Sequence, residues 1–432
     1  MITPRTLCLL LLGALSTSAC GSETPVPGGG TAPGATTTSA AMPTSSRATP
    51  AAGDTAAPPK IPAEPFRDGA RVFAQVKDAL LAHYYREGIG EDDLYRAATE
   101  GMLEHADPAM SKWNKLLTPA ELADLHADLK GEVVGVGVHI DFDPATGYSK
   151  VLSTLPGSPA ERAGLAAGDL IVAVDGILFK NKSLRDVVNQ IRGKAGDKVS
   201  LTVLRDQELV SLSMARESVA YESASHALLG EGVGVLRIRG FTEKTPGATK
   251  ASLEALQAGG ATALVVDLRC NPGGALDQAV TTAGLLLPAG AGVVTLQKRG
   301  EAPDVRKASG AAPLVDRPLV VLVNGSTGSS AEFLAAALSE VRHAPLVGQT
   351  TLGKWTAQTL DDLPNGYAMK YTVSLLRTPS GKSFEGVGLT PDAEVSMDDK
   401  QVEKASQIRA PAERLAADVQ LRTAVALLRP RR

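Results

Sequence analysis

Apolar positions along this chain keep two rhythms. Short continuous runs ended by turn residues, Leu319-Val320-Val321-Leu322-Val323 above all, read as strands buried on both faces. Similar runs at 234–238, 262–269 and 344–348 add strands, and helices are expected between them at 249–258, 276–286 and 330–341. In the last of these Phe333, Leu334, Ala337 and Leu338 share one helical face. Helical spacing also marks three segments between 63 and 130, the third opened by Thr118 as cap and Pro119 in its first turn. Strands alternating with helices place the chain in the α/β class.

Ahead of residue 63 neither rhythm holds. After Arg5 an apolar run covers 7–15, shorter than the ~20 residues a membrane helix needs. Small residues follow and end at Ser18-Ala19-Cys20, so 1–20 read as a secretory signal. The Ser-Ala-Cys ending resembles a bacterial lipobox, which makes Cys20 the candidate lipidated first residue of the mature chain; ordinary cleavage with Cys20 left in a tail is the other reading. From 21 to 62 the composition is Gly, Pro, Ala, Thr and Ser, which buries too little apolar surface to offset ordering entropy and reads as a disordered tether.

Bulk composition adds little. A net charge of −3 and 4% aromatic residues give no sign of nucleic-acid binding. Cys8 leaves with the signal and Cys270 has no intrachain partner, so no disulfide is expected. Cys270 reads as a small buried residue at a strand end, with a nucleophile as the alternative. His83, His105 and His126 lie on the helical segments without H-E-x-x-H or paired-cysteine spacing, so they read as surface residues, and no metal or cofactor is expected.

Candidate chemistry gathers after Val323. Ser329 sits on the turn Gly325-Ser326-Thr327-Gly328-Ser329-Ser330, where the following helix offers unpaired N–H groups and a dipole favourable to an oxyanion. A serine hydroxyl needs a base. His343 lies at the far end of that helix, about 20 Å away at ~1.5 Å per residue, and a G-x-S-x-G elbow is absent. Lys354 follows the strand 344–348 back to the same end of the sheet and is the better candidate, provided burial lowers its pKa from about 10.4. Gln358, four residues on, is placed to orient the amine. Two plainer readings stand beside this one: Ser329-x-x-Glu332 is a capping box, and Lys354 is a solvated surface charge.

The stretch VLVNGSTGSSAEFLAAAL, followed by VGQTTLGKWTAQ, resembles the active-site signature of the carboxyl-terminal processing, or tail-specific, proteases, Ser/Lys peptidases that carry a PDZ domain. The resemblance implies Ser329 as nucleophile, Lys354 as general base and Gln358 as its orienting partner. Thr327-Gly328-Ser329-Ser330-Ala331 stands where the family has S-A-S-A-S, and Trp355 replaces a glycine, a bulk expected to alter the substrate groove. Asp267-Leu268-Arg269-Cys270-Asn271-Pro272-Gly273-Gly274 matches D-L-R-x-N-x-G-G, whose loop supplies an oxyanion-hole N–H; Gly273 or Gly274 would then act with the Ser330 N–H. Taken alone, that loop is a strand-to-helix turn using glycine for positive φ. GMLEHADP, Thr378-Pro379-Ser380-Gly381, Gly388-Leu389-Thr390-Pro391-Asp392 and the D-x-Q-L-x-x-A run from Asp418 to Ala424 extend the likeness over roughly residues 66–430.

Residues 131–217 look like a PDZ domain, most specifically in the G-L-x-x-G-D-x-I-x-x-V-D-G run from Gly164 to Gly176. Gly135-Val136-Gly137-Val138 would offer free N–H groups to a terminal carboxylate while the adjoining strand edge pairs with the peptide; a plain β-turn is the other reading. Val187, Val188 and Ile191 are expected to line the groove. The whole expectation is a crotonase/ClpP-like catalytic domain at 218–400 with the PDZ domain inserted before it, an N-terminal helical segment at 63–130 and a C-terminal one at 401–432. The resemblance implies an exported serine endopeptidase, lipid-anchored in the bacterial cell envelope and facing the periplasm. Its partners would be proteins with exposed apolar C-termini, further copies of itself and an adaptor. A catalytically idle tail-binding adaptor, or pseudoprotease, is the competing reading. A crotonase-type acyl-CoA enzyme is a third, opposed by the export signal and the PDZ pattern.

Overall fold

The computed structural model describes residues 66–143, 145–155, 157–182, 184–220, 222–309 and 316–428, together with Cys8 and Leu9. The rest of the expected leader, Cys20 and the tether lie outside the described residues. The chain divides into two compact units, one ending at Ala109 and one running from Met110. In the first, the helices Gly69–His83 and Glu91–Ala106 bury none of their side chains. Lys77 and Glu91 tie one helix to the other by an ion pair, and the rings of Phe73 and Tyr95 stand 6.1 Å apart. His83 and His105 are exposed on these helices, and His126 on the helix Pro119–Lys130 of the second unit.

The second unit is built on a sheet whose strands run in the order Ala224–Leu228, Val233–Ile238, Ala263–Asp267, Leu319–Val323, Leu346–Gly348 and Ala393–Glu394; the first is antiparallel to its neighbour and the rest are parallel. The unbroken apolar runs follow from burial on both faces. Along the central strand Val321 and Val323 join one core with Leu253, Leu276, Phe333 and Leu334, while Val320 and Leu322 join another with Leu421, Ala424 and Val425 of the C-terminal helix Val419–Leu428. The helix expected at 249–258 begins at Thr245, because Pro246 fits a first turn. The helix expected at 276–286 ends at Ala283 but continues as tighter turns, in which Leu285 N–H donates to Thr282 O and Leu286 N–H to Ala283 O.

An antiparallel sheet follows the order Val138–Asp143, Tyr148–Thr154, Leu170–Val174, Lys198–Arg205 and Glu208–Ala215, covered by the helix Leu184–Ile191. A third sheet pairs Thr356–Asp362 with the long strand Ala368–Arg377, which also takes Gly292–Lys298 and, near its start, Lys115–Leu117. Asp267 and Leu322 are register partners on adjacent parallel strands. The loops that leave those strands, 268–275 and 324–329, therefore emerge together at the carboxyl edge of the sheet, where open α/β sheets form crevices.

Candidate active site

Ser329 stands immediately before the helix Ser330–Arg342 with φ 59° and ψ −117°. A non-glycine residue held there stores roughly 1–3 kcal/mol of strain. Three hydrogen bonds fix the turn: Gly328 N–H donates to Asn271 O at 2.9 Å, Thr327 Oγ1 to Leu268 O at 2.8 Å, and Ser329 N–H to Glu332 Oε2 at 2.8 Å. Gly273 packs so closely that a Cβ there would lie 2.8 Å from Ser329 Cβ. A strained strand-to-helix elbow thus forms without the G-x-S-x-G sequence, since the necessary glycines are Gly328 and one from the neighbouring loop. Only half of the capping box forms. Glu332 accepts from the Ser329 amide, but Ser329 Oγ is buried and has no hydrogen-bond partner.

Glu332 organises the site. Its Oε2 accepts from both Ser329 N–H and Lys354 N–H, each at 2.8 Å, so two hydrogen-bond lengths are the most that can separate those amides. Oε1 accepts from Thr351 Oγ1 at 2.5 Å and Gly353 N–H at 2.7 Å. Burial raises the carboxyl above its ordinary range, and these four donors oppose the rise. The sequence reading gave Glu332 only a helix-capping role; its tie to the 351–354 loop depends on a long-range contact no local pattern records.

Lys354 is 2% exposed, which removes the surface-charge reading. Its Nζ has no hydrogen-bond acceptor and stands 4.2 Å from the centroid of the Trp113 ring. Burial pushes its pKa down to about 7, with Lys370 and Lys112 acting in the same direction and Glu385 and Glu332 against it. Gln358 is fully buried on the strand Thr356–Asp362. Lys354 precedes that strand and a bulge separates Ala357 from Gln358, so the simple four-residue spacing argument does not apply. Gln358 Nε2 donates to Thr356 Oγ1 at 3.2 Å and Thr372 Oγ1 at 3.3 Å, while Oε1 has no partner. Ser329 Oγ, Lys354 Nζ and Gln358 Oε1 are therefore all buried and unpaired, and no hydrogen bond joins them. Other described residues, among them Ser149, Thr249 and Arg414, also bury polar atoms without a partner; each such group needs a reason, and a catalytic role is one.

In the adjacent loop Gly273 N–H donates to Asn271 Oδ1 at 2.9 Å and is engaged, whereas Gly274 N–H donates to none of the described residues. Ser330 Oγ donates to Gly274 O at 3.0 Å, drawing the Ser330 amide against the glycine pair. The loop is anchored from behind by Arg269, which is wholly buried. Each of the five N–H donors of a guanidinium meets an acceptor here, on Asp267, Asp418 or Gln420 at 2.7 to 2.9 Å. Cys270 is half-buried with its thiol pushed up to about 12 by burial, which fits the inert reading. Trp355 is 1% exposed and packs into the main core with its ring 5.4 Å from Phe384. The residue after Lys354 thus turns inward, and its bulk is taken up by the core.

In the antiparallel sheet, Val138–Asp143 pairs only with Tyr148–Thr154 among the described residues and so presents a free edge. Just before it the carbonyls of Val136 and Gly137 are engaged, by Ala160 N–H and by Leu155 N–H with Ser158 Oγ, while the N–H groups of Val136 and Gly137 donate to none of the described residues. Val187 and Ile191, expected to line a groove, instead sit in the core of this sheet, and Val188 is the half-buried member of the three.

Comparison with known proteins accords with this arrangement. Residues 232–395 match peptidase family S41, and residues 150–205 match a PDZ domain. A carboxyl-terminal-processing protease of Picosynechococcus sp. is 37% identical over 306 residues, 70% of this chain and 72% of the relative. The carboxy-terminal processing protease CtpA of Bacillus subtilis is 30% identical over 330 residues, 76% of this chain and 68% of that one. The crystal structure of a putative S41 protease from Bacteroides fragilis shares the fold, with a TM-score of 0.53 at 19% identity over 79% of this chain and 96% of that one. No helix of the described residues is long and apolar enough to cross a membrane. With its S41 peptidase and PDZ domains, and with such relatives, the chain belongs to the carboxyl-terminal processing protease family of serine peptidases.

Proposed function

We propose that the chain is an exported endopeptidase that captures the free apolar C-terminal tail of a protein substrate on Gly135, Val136, Gly137 and Val138 and cleaves upstream with Ser329. Lys354, neutral in an appreciable fraction of molecules near pH 7, takes the hydroxyl proton as Ser329 Oγ attacks the peptide carbonyl. Gln358 orients the amine through its free Oε1. The N–H groups of Gly274 and Ser330 hold the oxyanion, Gly273 serving as the close-packed floor beneath the serine. The ammonium then protonates the leaving amine, and water, activated by the same lysine, hydrolyses the acyl-enzyme. The observation that carries this reading is the strained elbow at Ser329, whose backbone N–H shares Glu332 Oε2 with the backbone N–H of Lys354, while the Ser329 hydroxyl and the Lys354 amine are both buried without a hydrogen-bond partner.

The free N–H groups at Val136 and Gly137 support tail capture, since a carboxylate would satisfy both. We assign the segments as helical 63–130, PDZ 131–217, catalytic 218–400 and C-terminal 401–432. The leader and Cys20 support lipid anchoring in the cell envelope with the catalytic unit facing the periplasm. Two N-terminal helices without a buried side chain support self-association, and an adaptor is a further partner.

The test is cleavage of an unstructured polypeptide ending in apolar residues by the parent, Ser329→Ala and Lys354→Ala proteins. The expected result is loss of cleavage in both variants, with tail binding retained and cleavage by the parent slowed when the substrate C-terminus is amidated. Unchanged cleavage by either variant overturns the dyad. The absence of a Ser329–Lys354 hydrogen bond favours a second reading, the idle tail-binding adaptor; binding without cleavage by the parent would select it.

A further inference from the structure

Trp113 has no role in the preceding scheme, yet its indole is the group nearest the amine for which a contact is seen. The residue closes a short helical turn, Ser111–Trp113. The chain on its far side is tied into the third sheet: Asn114 Oδ1 accepts from Thr372 N–H at 2.9 Å, and Lys115–Leu117 pairs with Ala368–Lys370. The same long strand pairs with the one that carries Gln358. Trp113 is thus fixed to the sheet holding Gln358, with its ring centroid 4.2 Å from Lys354 Nζ. The indole is half-buried while Lys354 is 2% exposed, so the ring faces the amine on one side and solvent on another.

We propose that Trp113 is a positioning residue for Lys354: its indole face roofs the amine, excludes water from it, and receives the ammonium that forms when the serine proton is taken. This inference rests on Lys354 being the base. An aromatic face suits both halves of the cycle. It offers no lone pair to compete with Ser329 Oγ for the amine, and it attracts the cation once the proton arrives, by about 0.5–2 kcal/mol. The charged groups facing the amine from the surrounding elements are Lys370, Glu385, Glu332 and Lys112, and Lys112 Nζ stands 4.9 Å from the same ring. Water exclusion and cation attraction act in opposite directions on the amine's protonation. Burial is the largest influence on it, so loss of the roof admits water and favours the ammonium.

Two measurements test this. The first is kcat/KM against pH for the parent, Trp113→Phe, Trp113→Leu and Trp113→Ala. The parent should rise with pH through a midpoint near 7. Phe should keep that midpoint, and Leu should keep it with a lower plateau, having the cover without the π face. Ala should move the midpoint up by one unit or more, losing about fivefold or more at pH 7 and recovering in alkali. An unmoved midpoint in Trp113→Ala, or an equal loss at every pH, overturns the proposal. The second measurement needs no turnover. The chain has 2 tryptophans, and the emission lost in Trp113→Phe should titrate with the same midpoint in the parent and stay flat in Lys354→Met. Emission that does not titrate in the parent, or still titrates in Lys354→Met, overturns the roof. Cleavage surviving in Lys354→Ala overturns the base assignment instead, so the two failures are distinguishable.

Discussion

Replacing Lys354 by Met should stabilise the protein, and by an amount that depends on pH in a defined way. The amine has an ordinary pKa of 10.5 and is brought down to about 7 in the fold, which corresponds to roughly 5 kcal/mol of disfavour for the buried ammonium at about 1.4 kcal/mol per unit. Below pH 7 the lysine is protonated in both states, and the folded state carries nearly all of that penalty. Between the two values the unfolded chain binds the proton and the folded one does not, so stability rises with pH. Above 10.5 the lysine is neutral in both states and the penalty is gone. Met keeps the unbranched apolar stem and removes the titration. The variant should therefore exceed the parent by about 5 kcal/mol near pH 6 and by about 2 kcal/mol near pH 9. Urea unfolding of both proteins at several pH values, followed by tryptophan emission, measures the difference. A gain that does not shrink between pH 6 and pH 9, or a loss at the lower pH, refutes the idea that the fold holds a desolvated amine there.

Two further substitutions probe the scaffold around the pair. Glu332→Gln presents an amide N–H₂ where one carboxylate oxygen now accepts two N–H groups, so kcat should fall about a hundredfold through misplacement of the elbow, with KM little changed; full kcat in this variant removes Glu332 from the positioning of Ser329 and Lys354. Asp418→Ala removes two of the five hydrogen-bond acceptors of the buried Arg269 and should cost about 3–5 kcal/mol of stability in urea unfolding. A change under about 1 kcal/mol would mean that the C-terminal segment does not brace the 268–275 loop.

What could be read in the sequence was whatever depends on neighbours along the chain. Leu319–Val323 shows its strand in an apolar run because both faces are covered, and the helix after Ser329 shows itself in the spacing of Phe333, Leu334, Ala337 and Leu338, all of them buried. Thr118 and Pro119 open their helix as expected, with Glu121 completing the capping box. The site residues were legible for a different reason: their motif carries a resemblance, and spacing alone left Ser329 divided between cap and nucleophile. The elbow could not be read, because its strain is made tolerable by Gly273, which lies 56 residues before Ser329 and reaches it only through the parallel pairing of two strands. Trp113, Glu332 and the Arg269–Asp418 pair are hidden in the same way, each being informative only once topology supplies the partner.

The misjudged residues point to one physical cause. Val187 and Ile191 are large apolar side chains beside a functional segment, and each was expected to line the groove but is spent on the core. Ser329 Oγ, Lys354 Nζ and Gln358 Oε1 show the converse: polar atoms taken out of water without a hydrogen bond, the amine meeting only the face of the Trp113 ring. Burying an apolar group near a site lowers the free energy of the fold whether or not a substrate ever binds, so its identity says little about function. Burying an unpaired hydroxyl, amine and amide oxygen raises it, and the fold tolerates that only where surrounding contacts such as the Glu332 and Arg269 networks over-determine the geometry. A polar group buried without a partner is therefore the sharper marker of the chemistry where it coincides with a motif: other described residues, among them Arg237 and Thr359, bury unpaired polar atoms too, but only at Ser329, Lys354 and Gln358 do such atoms fall on the residues that the motif singles out.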